Sequence, residues 1–76
     1  MATNKYTLIQ PLTVNQKYWI AQAMRTYGGS FVKHIGEALI HADKHNTKRL
    51  QEAFPDYMEQ YLDIGLEMEK KSENVG

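Results

Sequence analysis

The chain has 76 residues, nine basic and nine acidic side chains, and no cysteine. That length holds one domain at most, and without cysteine there is neither a disulfide staple nor a thiolate site. A hydrophobic content of 42% and a charged content of 24% suit a folded domain, and no apolar run approaches the roughly 20 residues that a membrane span needs.

Residues 1–12 read as a short extended arm, because Pro11 opposes helix and Tyr6, Leu8 and Ile9 supply some apolar grip. The segment lacks the charged-then-apolar layout of a signal peptide, so a cytoplasmic protein is expected. The first helix opens on Thr13-Val14-Asn15-Gln16, a T-x-x-Q capping box in which hydroxyl and amide side chains each satisfy a backbone N–H. Ile20, Ala23, Met24 and Tyr27 then fall at i, i+3, i+4 and i+7, with Trp19 beside them. Gly28 is expected to end the helix in the left-handed conformation. Gly28-Gly29 allows a tight reversal, so helices one and two form an antiparallel hairpin.

Ser30 is the expected N-cap of helix two. Phe31, Ile35, Ala38, Leu39 and Ala42 repeat at helical spacing, which predicts a buried stripe around which the other segments pack. Gly36 lies inside this helix at a cost of about 1 kcal/mol, so it marks close approach by another helix or by a large ring such as Trp19. Asp43-Lys44-His45-Asn46-Thr47 contains cap residues and no apolar one. A break is expected here, with Asn46 or Thr47 capping a third helix that ends near Phe54. Leu50, Ala53 and Phe54 are its expected inward residues. An uninterrupted helix over 30–54 is the alternative.

Phe54-Pro55-Asp56 marks the next boundary, with Pro55 suited to a first helical position. Helix four is expected to reach Lys70 or Lys71. Tyr57, Tyr61, Ile64 and Met68 form one apolar row, and Met58, Leu62 and Leu66 a second. Asp56, Glu59, Asp63 and Glu67 form the opposite, acidic stripe. The predicted fold is all-α: a compact three- to four-helix bundle opening with an antiparallel helical hairpin, in one helical domain over 13–71, between the arm and a frayed tail at 72–76.

Net charge is zero, yet the charges are sorted. Residues 1–51 hold seven bases and two acids, a net of +5, and residues 52–76 hold two bases and seven acids, a net of −5. Such sorting suits packing of one half on the other, head-to-tail pairing of copies, or an acidic face for a basic partner.

Several chemistries are testable against these residues. Glu37, His41 and His45 are spaced by four, which on one unbroken helix would place a carboxylate and two imidazoles together as metal ligands. A break near Asp43 destroys that geometry, the H-E-x-x-H pattern is absent, and no metal or other cofactor is expected. Lys44, Asn46, Lys48 and Arg49 begin the third helix as polar and basic residues begin the recognition helix of a helix-turn-helix protein. A polar, capped helix start explains them equally, and zero net charge weighs against phosphate affinity. No G-x-S-x-G, dinucleotide or phosphate-loop pattern occurs, and no enzyme is expected. Gly28-Gly29-Ser30 is read as a hinge rather than an anion site.

The content of large side chains exceeds what so small a bundle buries easily, so part of the Tyr57, Tyr61, Ile64 and Met68 row is expected outside. Together with Asp56, Glu59 and Asp63 it forms the expected protein-binding surface. The run Ala42-Asp43-Lys44-His45-Asn46-Thr47-Lys48-Arg49-Leu50-Gln51-Glu52-Ala53-Phe54-Pro55-Asp56-Tyr57 resembles stretches in small helical accessory proteins of bacterial phages and mobile elements. The resemblance spans a minor part of the chain and carries over no functional residue. It implies an accessory protein or inhibitor that binds a larger host or phage complex. The sequence therefore reads as a protein–protein interaction module, with itself (as a homodimer) or a larger protein as partner. DNA binding through Lys44, Asn46, Lys48 and Arg49 is the alternative, and no membrane partner is expected.

Overall fold

The computed structural model describes residues 11–73, and these form four α-helices with no strand among them. They are α1 (Val14–Tyr27), α2 (Ser30–His41), α3 (Lys44–Ala53) and α4 (Pro55–Glu73). The expected arm falls mostly on residues 1–10, outside the described part.

Local chemistry sets the helix ends. The capping box at Thr13 forms with both bonds at 3.0 Å: Gln16 N–H donates to Thr13 Oγ1, and Thr13 N–H donates to Gln16 Oε1. Gly28 closes α1 with φ −75°, not in the left-handed region as expected. Its value is space: a Cβ there would stand 2.6 Å from Val32 Cγ1. Gly29, rather than Ser30, is the N-cap of α2, and no side chain caps that end. The break after α2 falls at Ala42 and Asp43. Asp43 caps α3 by accepting from Asn46 N–H at 2.8 Å, so α3 starts earlier than Asn46 or Thr47. A carboxylate at the N-cap satisfies a free N–H and complements the helix dipole. Pro55 occupies the first position of α4, which continues through the expected frayed Ser72 to Glu73.

The organising helix is α1, not α2. Gly36 of α2 lies against Ala21, Met24 and Arg25, and Gly65 of α4 lies against the backbone of Trp19. Each flanking helix thus presents a glycine to α1 and approaches it backbone to backbone. α2 and α4 both pack closely on α1 and meet each other only through side chains, Phe31 against Tyr57, while α3 bridges them with lighter contacts. The direction of α2 follows from Gly28 beside Val32 and Lys17 beside Ala42: the Lys17 ammonium donates to the Ala42 carbonyl. The expected antiparallel hairpin is present. α4 also runs antiparallel to α1, with Asn15 Nδ2 donating to Glu69 Oε2 at 3.0 Å near one end and Gly65 beside Trp19.

Ile20, Met24 and Leu39 are the largest fully buried side chains, joined by Ala21, Ala23, Val32, Ile35, Met58 and Tyr61. Each large aliphatic buried here contributes about 1.5–3 kcal/mol by removal from water. The stripe of α2 is Val32, Ile35, Gly36 and Leu39, rotated from the expected one, so Phe31 and Ala38 are exposed. In α3 the buried residues are Thr47 and Gln51, Leu50 and Phe54 are half-buried, and Ala53 is exposed. Thr47 Oγ1 reaches the Ala42 carbonyl at 3.5 Å. No buried side-chain polar atom among the described residues lacks a partner. No helix among them is long and apolar enough to cross a membrane.

Candidate functional site

α4 meets α1 through Met58, Tyr61 and Gly65, one row at i, i+3 and i+7. That register settles where the expected binding surface lies. Tyr61 is 7% exposed and belongs to the core, because it precedes Gly65 by one turn on the α1-facing side. Tyr57, Ile64 and Met68 are half-buried against the same core. Leu66, expected to pack inward with Met58 and Leu62, is 40% exposed. Asp56, Asp63 and Glu67 are exposed and Glu59 is partly so. Asp56, Asp63 and Glu67 form no ion pair among the described residues, so their charges face solvent.

The strongest exposed apolar feature lies at the end of the bundle where α1 passes to α2 and α3 passes to α4. Phe31, Phe54 and Tyr57 meet there. Ring centroids of Phe31 and Phe54 are 5.9 Å apart at 74°, those of Phe31 and Tyr57 6.3 Å apart at 61°, and those of Phe54 and Tyr57 5.9 Å apart. Tyr57 continues the chain of rings inward to Tyr61 at 6.4 Å. Edge-to-face pairs of this kind add about 0.5–1.5 kcal/mol each beyond area burial. The cluster spans the mouth that α2 and α4 leave open, yet Phe31 remains 60% exposed, and Tyr27 at the same end 62%. Asp56 stands beside Tyr57 in the first turn of α4.

Phe31 and Tyr27 were expected in the core by spacing. The usable signal was glycine. Taking Gly36 as an inward position turns α2 so that Val32 enters and Phe31 leaves. Tyr27 is the last residue of α1 and stays exposed at the end of the bundle.

α3 carries the expected basic set, and all of Lys44, Asn46, Lys48 and Arg49 are exposed. They divide between the two sides of the helix. Lys44 and Lys48 line a groove against the start of α1, with Leu12, Val14 and Lys17. Asn46 and Arg49 line a second groove against the end of α2, with Ala38 and His41. Arg49 Nη1 donates to Asn46 Oδ1 at 3.5 Å. The link between α2 and α3 is Ala42-Asp43, shorter than the three or four residues usual in a helix-turn-helix.

The Glu37, His41 and His45 arrangement does not assemble. The break puts His41 and His45 on different helices, and Glu37 Oε2 pairs with Arg25 Nε at 3.0 Å. No three His, Asp or Glu side chains among the described residues are grouped to hold a metal. His34 is exposed, its Nδ1 2.6 Å from the Ser30 carbonyl oxygen within its own helix. Comparison with protein families, curated proteins and solved structures gives no match for this chain.

Proposed function

We propose that this chain is a small, non-enzymatic protein-binding module whose working surface is the aromatic end of the bundle, bordered by the acidic face of α4. The observation that carries the reading is the exposure of Phe31 at 60% within a connected cluster of rings. Large aromatic side chains at the centre of a patch, with charge at its rim, are the composition of binding hot spots. Tyr27 and Phe31 are the anchors, Tyr57 and Phe54 support them, and Asp56, Glu59 and Asp63 form the rim. Ile64 and Met68 act through α4 packing rather than by direct contact. A partner that fits offers an apolar pocket beside Lys or Arg, since the acids favour encounter with a basic surface. The resemblance to phage accessory proteins agrees with a role as an inhibitor or adaptor on a larger complex.

The test is binding to protein partners by Tyr27→Ser/Phe31→Ser. Loss of two anchors costs about 2 kcal/mol or more, a roughly 30-fold weaker Kd. Unchanged binding would remove the aromatic end as the working surface. DNA binding is the second reading, favoured by the exposure of Lys44, Asn46, Lys48 and Arg49 on the first turns of α3. In that case Lys48→Ala/Arg49→Ala abolishes binding while Tyr27→Ser/Phe31→Ser leaves it intact.

A further inference from the structure

The groove between α1 and α3 has a volume of about 470 Å³, and its walls combine Pro11, Leu12 and Val14 with Lys17, Lys44 and Lys48. Val14 is 87% exposed, although it is apolar and sits at the start of a well-capped helix. The Lys17 ammonium donates to the Ala42 carbonyl, which ties α1 to the link between α2 and α3 and fixes one wall. Thr47 and Gln51, both buried, lie at its base. Lys44 and Lys48 are one turn apart on α3, and neither forms an ion pair among the described residues. This is an apolar trough with cations at its edge.

The outer face of α4 has the complementary make-up. Leu66 projects with 40% of its surface exposed, and Asp63 and Glu67, one turn apart, lie together along one side of it without an ion pair among the described residues. Within one molecule the two surfaces cannot meet. α4 contacts α1 at Asn15 and Trp19, whereas the groove uses Val14 and Lys17. At about 100° per residue those pairs point roughly 150° apart around α1.

We infer that the groove receives the outer face of α4 from a second copy of this chain, with Leu66 against Leu12 and Val14 and with Asp63 and Glu67 facing Lys44 and Lys48. Charge and apolarity match on both sides, and the +5 and −5 halves of a neutral chain are divided between groove and α4 in the same sense. The contact is heterologous, because different surfaces meet. Each added copy leaves one groove and one α4 face free, so copies join into chains or rings rather than two-fold dimers. Exposed charges at the edges make the contact sensitive to salt. The inference does not rest on the aromatic end as a working surface, and Tyr27→Ser/Phe31→Ser should assemble like wild type.

Sedimentation velocity over a concentration series tests it, first at low salt and then at about 0.5 M, where the Debye length falls to a few ångströms. Wild-type mass should rise with concentration at low salt and return to the monomer at high salt. Lys44→Glu/Lys48→Glu and Asp63→Lys/Glu67→Lys, all at exposed positions, should each stay monomeric with unchanged helical circular dichroism. Mixing the two variants should restore association, because each then meets an oppositely charged surface. A mixture no heavier than its components overturns the inference. So does association that survives in either variant alone, which would place the contact elsewhere. A wild type that stays monomeric at millimolar concentration also overturns it. If that monomer instead gains mass with an oligonucleotide that Lys44→Glu/Lys48→Glu ignores, the groove belongs to phosphate.

Discussion

Gly65→Ala puts the packing of α4 on α1 under direct test. A Cβ at this position would stand 2.5 Å from the Trp19 carbonyl oxygen, 2.7 Å from its carbonyl carbon and 3.0 Å from its Cβ. Ordinary contact begins near 3.4 Å. The obstacle is mostly backbone, so it cannot rotate away, and α4 must retreat by about 0.9 Å. A gap of about 0.5–1 Å forfeits a quarter to a half of each dispersion contact, and Met58 and Tyr61 sit on the retreating face. Overpacking of this kind costs about 1–3 kcal/mol. Replacing a mid-helix glycine by alanine returns about 1 kcal/mol of helix propensity. The net expectation is destabilisation by up to about 2 kcal/mol, against a total near 4–11 kcal/mol for a chain of this size. Tm should fall by up to about 15 °C. Urea and thermal unfolding followed by far-UV circular dichroism measure both. The retreat also draws Tyr57 from Phe31, so partner binding should weaken along with stability. A variant more stable than wild type by the full propensity gain of about 1 kcal/mol would mean that the added Cβ meets no obstacle, and would refute backbone-to-backbone packing of α4 on α1.

Other substitutions probe separate links. Leu39 is fully buried, and Leu39→Ala should cost about 2–5 kcal/mol by chemical denaturation, a large part of the total. Asp43→Ala removes the side-chain cap of α3 and should cost about 1 kcal/mol by the same measurement. Gly29 has open space where a Cβ would stand and a φ of −70° that any residue adopts. Gly29→Asp supplies the missing cap of α2 and reduces unfolded-state freedom, so it should raise stability by about 0.5–1 kcal/mol. Phe31→Ser removes a ring that is mostly in water, so its unfolding midpoint should shift by less than that of Leu39→Ala.

The fold was readable because it is written in short-range chemistry. The Thr13 capping box and Pro55 at a helix start each act over a few residues and appear where expected, and the break after α2 falls in the expected stretch, with Asp43 in place of Asn46 or Thr47 as the cap. Register was harder. Gly36 and Gly65 sit at close helix approaches, as expected, but apolar stripes drawn through the large side chains and not through the glycines turn each helix out of register. That error hid Phe31 on the surface, buried Tyr61, and exposed Leu66. The acids Asp56, Asp63 and Glu67 were easier to place, since unpaired carboxylates stay in water. The aromatic end was not readable at all. It exists only because two links far apart in the chain, Gly28-Gly29 and Phe54, converge in space. The same holds for the α1–α3 groove, whose lysines come from separate helices.

The most direct test of protein binding through the aromatic end is capture from extracts of the native source. Three immobilised baits are compared: wild type, Tyr27→Ser/Phe31→Ser, and Lys48→Ala/Arg49→Ala. Both variants alter exposed side chains, and circular dichroism confirms their folding beforehand. A protein retained by wild type and by Lys48→Ala/Arg49→Ala, but lost by Tyr27→Ser/Phe31→Ser, is the expected result. Retention by Tyr27→Ser/Phe31→Ser with loss by Lys48→Ala/Arg49→Ala would contradict it and move the working surface to the basic start of α3.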